Sequence, residues 1–209
     1  MPRAPSPEIK GALIERAAAL LARRQPVTLR SLVEGSGVST MAVYTYFDGM
    51  PGLWSAVRQE GFTRLGERLA TVRPSRDPVR RLAALGVAYA VHALANPDLY
   101  RVMFDSAFEL TDPAAASAGF EPLVVATSAA QDAGRFDARL DPSDVALRYW
   151  AGGHGLTSLT VTGVLAVTDL RRHAPASAVA TFVSAGDTRE RAERSVTAAW
   201  REFAATGRG

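Results

Sequence analysis

The densest run of side chains capable of specific chemistry lies between Thr28 and Phe47, TLRSLVEGSGVSTMAVYTYF. Thr40, Met41, Tyr44 and Thr45 recur there at helical spacing, so their side chains share one outward face. Hydroxyls on such a face can meet base edges or phosphate oxygens, and the Met41 side chain can cover a thymine methyl. Thr28, Arg30, Ser39, Tyr44 and Tyr46 are placed to contact the phosphate backbone or frame this face. No arginine or lysine lies between Thr40 and Phe47. The bidentate guanine contact is therefore missing, and thymine methyls together with DNA shape carry more of any sequence preference.

A second group suits a different chemistry. Tyr89, Tyr100, Met103, Phe104, Phe108, Phe120, Trp150 and His154 are large, adaptable groups with a few polar tips. They fit either a packed core or an apolar ligand pocket. A catalytic reading finds little support. His92, His154 and His173 stand in no metal-ligand spacing, and Asp105, Glu109 and Asp112 form no acid–base pair. There is no Gly-x-Ser-x-Gly elbow, and Gly152 to Gly155 sit within a helix, which is wrong for a phosphate loop. With no cysteine, thiolate catalysis and disulfides are excluded. No catalytic residue, metal or cofactor is expected.

The elements that must position the first group can be read directly. Thr28 caps a short helix whose Leu29, Leu32 and Val33 share a face. Gly35 and Gly37 suit the left-handed backbone of a helix exit, and Val38 plugs the corner. Ser39 is expected to cap a second helix with Ala42, Val43, Tyr46 and Phe47 inward. This is a helix-turn-helix pattern.

Gly37-Val38-Ser39 followed by Val43-Tyr44 and Tyr46-Phe47 closely resembles the DNA-binding signature of TetR-family transcriptional regulators. The likeness runs from a first helix ending near Arg24 to Leu53, where the family begins its fourth helix. It implies that the second helix of the motif enters the major groove. It also implies a homodimer, because one motif reads too few base pairs. Two-fold pairing sets the reading helices roughly 34 Å apart on a palindromic operator of double-stranded DNA. One departure stands out: the family's usual lysine is Met50 here, which removes one phosphate contact. The N–H donors of the helix that follows remain. Further along, Trp150-Ala151-Gly152-Gly153-His154-Gly155 resembles the Trp-His-Gly class of TetR-type C-terminal domains, and Asn96-Pro97 through Met103-Phe104 is similar to the segment preceding it. That likeness implies a ligand-sensing, dimerising domain with an unnamed small effector.

The remaining sequence reads as helices throughout, about nine in all, giving an all-α chain. Residues 1–52 form the helix-turn-helix domain, continued by a linking helix over 53–72, and residues 73–209 the ligand-binding and dimerisation domain. Expected helices cover 79–94, 97–110, 114–133, 141–167 and 187–205. The stretch 168–186 reads as less ordered, with one helical turn near 178–183. The apolar faces of 156–167 and 187–205 are candidates for the dimer interface. Net charge is +3, with ten basic and six acidic residues in 1–75, a modest excess that suits phosphate attraction. No run is apolar enough to span a membrane, and the N-terminus lacks a signal-peptide pattern, so a cytoplasmic protein is expected. The whole reads as a homodimeric repressor released by a small apolar ligand. The alternatives are a helical ligand-binding protein that has lost DNA binding and, more remotely, a helical enzyme using His154.

Overall fold

A computed structural model describes residues 6–23, 25–105, 109–110 and 112–206. These residues form ten helices and no strand. In order they are α1 (Pro7–Ala22), α2 (Leu29–Val33), α3 (Met41–Phe47), α4 (Met50–Ala70) and α5 (Pro78–Ala95). There follow α6 (Pro97–Met103), α7 (Ala114–Asp132), α8 (Pro142–Val161), α9 (Val167–Ser184) and α10 (Arg189–Thr206). The chain divides into two compact units. The first comprises Met1–Arg64 and Asn96–Ala116, the second Leu65–Ala95 and Ser117–Gly209.

The first unit is built around the apolar stripe of α1. Leu13, Ile14, Ala17, Ala18 and Leu20 are buried with Leu32 of α2, Val43 and Phe47 of α3, and Leu53 and Val57 of α4. Thr28 caps α2 as expected: its Oγ1 accepts the Ser31 N–H at 3.1 Å, and Ser31 Oγ accepts the Thr28 N–H at 2.9 Å. Such reciprocal capping satisfies two donors that the first turn leaves over. Gly35 and Gly37 have φ of +73° and +70°, the left-handed backbone that the helix exit needs. The start of α3 differs from expectation. Ser39 and Thr40 close the first turn through their carbonyls, accepting from Ala42 and Val43 N–H, and Thr40 makes no side-chain cap.

The α3–α4 corner is tight. A Cβ at Gly52 would lie 1.9 Å from the Phe47 carbonyl oxygen, so only glycine lets α4 start so close to the end of α3. The helix α6 also belongs to this unit. Leu99 and Val102 join its core, Arg58 Nε donates to the Met103 carbonyl at 2.9 Å, and Phe104 meets Phe62 edge-on at 5.7 Å. A Cβ at Gly61 would fall 2.2 Å from Met103 Cγ, so this contact too depends on a missing side chain.

In the second unit α5 is the central helix. Val79, Leu82, Ala83, Leu85, Val87, Ala88, Tyr89, Ala90, His92 and Ala93 are all buried, leaving little of it facing solvent. α10 and α8 pack on it, and α9 packs on both α8 and α10. Tyr149 of α8 lies against bare backbone, since a Cβ at Gly86 would sit 2.1 Å from its hydroxyl. α8 stops at Val161, six residues short of the expected end, and the stretch expected to be less ordered is the full helix α9. Leu170, Ala178 and Phe182 are its buried stripe, and Pro175 sits inside it. α10 presents Ala192, Ser195, Val196 and Ala199 inward, so its apolar side is covered within the chain.

Helix ends in this unit meet at Arg135. Its guanidinium binds Asp187 through Nε at 2.9 Å and Nη2 at 2.5 Å, Asp77 through Nη1 at 2.8 Å, and Ser195 Oγ at 3.2 Å. Two stability predictions follow from these geometries. Gly52→Ala should lower unfolding free energy by about 2 kcal/mol through overpacking. Arg135→Ala should cost about 3 kcal/mol or more, because Asp187 is left as a buried carboxylate without its cation. Urea unfolding of the purified variants checks both; midpoints equal to the parent's would contradict them.

Candidate functional site

The first unit presents a polar, convex helix. Thr40, Met41, Tyr44 and Thr45 are exposed, while Val43 and Phe47 are buried and Tyr46 is half-buried. Met41 and Tyr44 keep 64% and 52% of their surface open. Three of the expected contact residues already hold internal bonds. Thr45 Oγ1 donates to the Met41 carbonyl at 3.0 Å, and the Thr28 hydroxyl is engaged by the cap of α2. The Tyr46 hydroxyl accepts the Ser6 N–H at 2.7 Å, and it keeps its own proton for an acceptor. Arg30 and Ser39 are exposed. Met50 opens α4 and packs against the core of the unit, so this position supplies no cation. Pro51 brings no N–H, so the first turn of α4 has one donor fewer than usual.

The second unit encloses an apolar cavity. Its walls come from Leu69 of α4, Leu85, Gly86, Tyr89 and Ala90 of α5, and Gly119 and Leu123 of α7. Tyr149, Trp150, Gly153, His154 and Thr157 of α8 complete one side; α9 and Trp200 of α10 close the other. The volume is about 30 Å³, room for roughly one or two water molecules. Besides Thr157 and Ser177, the wall carries the polar pair Tyr89–His154, whose hydroxyl and Nδ1 are 2.6 Å apart. The His154 ring lies over Trp150 at 5.0 Å with planes 30° apart, and Phe120 meets Trp150 edge-on at 6.4 Å. Burial pulls the His154 pKa below its ordinary value, which keeps the ring neutral. Hydroxyl and neutral imidazole together carry two donor protons and spend one on their mutual bond. Either tautomer leaves the second on Nε2 or on the phenol oxygen. Burial also pushes the Tyr149 phenol up, so it stays protonated against the Ala83 carbonyl.

Of the residues read as ligand contacts, Tyr89, Trp150 and His154 line this cavity and Phe120 supports Trp150. Tyr100, Met103 and Phe104 belong to the other unit, where Tyr100 and Met103 are buried and Phe104 packs on Tyr100 at 5.4 Å. Phe108 lies outside the described residues. Sequence reading missed Leu170, Ala174, Ser177 and Ala178, because only one helical turn, near 178–183, is expected from the sequence where the whole of α9 runs. The four-residue spacing of Leu170, Ala174 and Ala178 was the available signal. Gly152 has the Ser177 hydroxyl 3.1 Å from where its Cβ would stand, whereas a Cβ at Gly153 would meet nothing within 4 Å. Among the described residues no three His, Asp or Glu side chains converge as a metal site, and no helix is long and apolar enough to cross a membrane.

Residues 82–182 match the family of tetracyclin repressor-like C-terminal domains. No curated protein matches the sequence. Among solved structures, the fold is similar to a protein of unknown function from Rhodococcus sp. RHA1, at 25% identity over 90% of this chain and 100% of that one, TM-score 0.71. It is also similar to a putative TetR-family transcriptional regulator from Rhodococcus sp., at 20% identity over 84% of this chain and 99% of that one, TM-score 0.69. A third similar structure is RolR in complex with resorcinol, at 18% identity over 91% of this chain and 93% of that one, TM-score 0.59. Residues 82–182 therefore match a tetracyclin repressor-like C-terminal domain, and the fold of the chain is similar to that of solved structures which include a TetR-family transcriptional regulator.

Proposed function

We propose that the chain acts as a homodimeric repressor, released from a palindromic operator by a small, mostly apolar ligand that carries a hydroxyl or similar polar group. The observation that carries the reading is the Tyr89–His154 pair set in the wall of a mostly apolar cavity. Such a wall rewards a ligand that buries a ring or short chain and brings one polar group beside this pair. RolR, whose structure holds resorcinol, offers a hydroxylated ring as a size guide. Thr40, Met41 and Thr45 approach base edges in this reading, while Thr28, Arg30, Ser39, Tyr44 and Tyr46 hold the backbone.

A cavity of about 30 Å³ does not admit such a ligand without moving its walls. Ligand binding therefore favours an expanded arrangement of α5, α8 and α9. α4 contributes Leu69 to that wall and runs without a break into the first unit. A ligand that prefers a state with the two reading helices misplaced lowers DNA affinity, and DNA lowers ligand affinity by the same factor. For the dimer, α10 is committed to α5, which leaves α8 and α9. Leu147, Ala151, Gly155 and Leu159 form an exposed, mostly small apolar stripe along α8, and Ala176 and Ala180 are exposed on α9. We assign the two-fold contact to these faces. Met50 and the uncharged α3 favour one second reading, a ligand-binding protein without DNA affinity; a gel shift on the DNA upstream of its own gene separates the two.

Two outcomes test the proposal. Arg30→Ala should weaken binding to every duplex and flatten the salt dependence by about one unit of slope, measured by fluorescence anisotropy from low to moderate salt. An unchanged slope removes Arg30 from the interface. Gly153→Ala should gain about 1 kcal/mol of helix stability while its methyl takes up cavity space. Its melting temperature should rise, and DNA release by a panel of small phenols should need higher concentrations. Release at the parent's concentrations would place the ligand elsewhere.

A further inference from the structure

The helix α5 has a concavity on each side. Leu85, Gly86, Tyr89 and Ala90 face the cavity described above, while Ala84, Val87, Ala88 and Val91 face a second one. This second cleft is larger, about 430 Å³, and Ala199 of α10 stands at its wall. Its character is different as well. Arg68 and Arg73, from the end of α4 and the turn beyond it, and Arg80 and Arg81, from the first turn of α5, all line it. No aspartate or glutamate does.

Four cations around one concavity repel one another, and a surface of this kind normally recruits carboxylates. Here the nearby carboxylate is already committed. Asp77 accepts from Arg135, from Ser195 Oγ and from the N–H groups of Val79 and Arg80. Burial alone would raise its pKa, yet those bonds hold it below the ordinary value, so it remains an anion bound to Arg135 rather than to the cleft. Among the described residues no carboxylate pairs with Arg68, Arg73 or Arg81. The Nε atoms of Arg68 and Arg81 are buried and have no hydrogen-bond acceptor. A buried guanidinium N–H without an acceptor is costly to fold, and guanidinium geometry matches carboxylate and phosphate oxygens in pairs. The floor between the arginines and Val91 is apolar and follows one stripe of α5 for about two turns.

We propose that this cleft binds an amphiphilic anion. Arg68 and Arg81 hold a carboxylate or phosphate-monoester head, Arg73 neutralises it from the rim, and an aliphatic tail lies along Ala84, Val87, Ala88 and Val91. The site is separate from the Tyr89–His154 cavity and stands whether or not that cavity senses a ligand.

Isothermal titration of the full chain with octanoate, octyl phosphate, octanol and inorganic phosphate tests this. At least one of the two alkyl anions should bind ten-fold or more tightly than octanol and inorganic phosphate, and the tighter of them identifies the head group. The double variant Arg68→Gln/Arg81→Gln should weaken it ten-fold or more. Ala84→Glu, which sets a carboxylate on the floor, should abolish it, and this variant carries the test if the double variant does not fold. Gly153→Ala should leave it unchanged. Inorganic phosphate binding as tightly as the alkyl anions would mean an adventitious ion only and overturn the proposal. So would octanol binding equally well, or affinity lost in Gly153→Ala but kept in the arginine variant.

Discussion

The second unit depends on one buried cation. Arg135 sits in the turn between α7 and α8 and is 7% exposed. Through it the α7–α8 turn is tied to Asp187 between α9 and α10, to Asp77 before α5, and to Ser195 within α10. Hydrogen bonds to Asp187, the largest influence, raise the guanidinium pKa further, so its charge is permanent. Bidentate geometry and a low-dielectric setting make such a pair directional as well as strong. Four segments distant in sequence thus share one anchor at the N-terminal end of α5. The cavity lies further along the same helix, at Leu85 to Ala90, where apolar packing alone sets the spacing. Anchored at one end and loosely filled at the other, the helices around α5 have a natural place to yield.

The first unit obeys a different constraint, the close approach of backbones. Gly52 and Gly61 let α3 and α6 press onto α4 where any side chain would collide. The chain passes between the two units three times, twice within a continuous helix: at Arg64–Leu65 in α4 and at Ala116–Ser117 in α7. A helix cannot absorb a displacement by flexing a loop.

Much of this was legible in the sequence, and the exceptions have definite causes. The helix-turn-helix could be read because its signals are local: a capping threonine, two glycines at the exit, and buried positions at helical spacing. Trp150 and His154 were legible through an uncommon residue run. α9 was not, because Pro175 reads as a breaker and alanines on both its buried and exposed faces blur the contrast that Leu170, Val179 and Phe182 would otherwise give. Small residues carry little hydrophobic periodicity even when they pack well. Tyr100, Met103 and Phe104 show a different limit. Their bulk correctly signals burial, but burial has no direction in a sequence, and the partner turned out to be α1 and α4. Ser39 illustrates the last kind of miss. Serine ahead of a helix is a good cap on average, yet α3 begins one residue later and closes on carbonyls instead.

Pro175 has a consequence for the breadth of chemistry the cavity can accept. α9 supplies Leu170, Ala174, Ser177 and Ala178 to the wall, and the proline lies in the middle of them. Without its N–H, one rung of the helix ladder is missing at that level. The wall is thus most compliant where it borders the cavity, a hinge-like spot in an otherwise stiff cylinder. On the proposed reading of this cavity as the ligand site, compounds of differing width are accommodated by bending α9 there, and selectivity is tuned by substitutions along that helix more than by changes to the Tyr89–His154 pair.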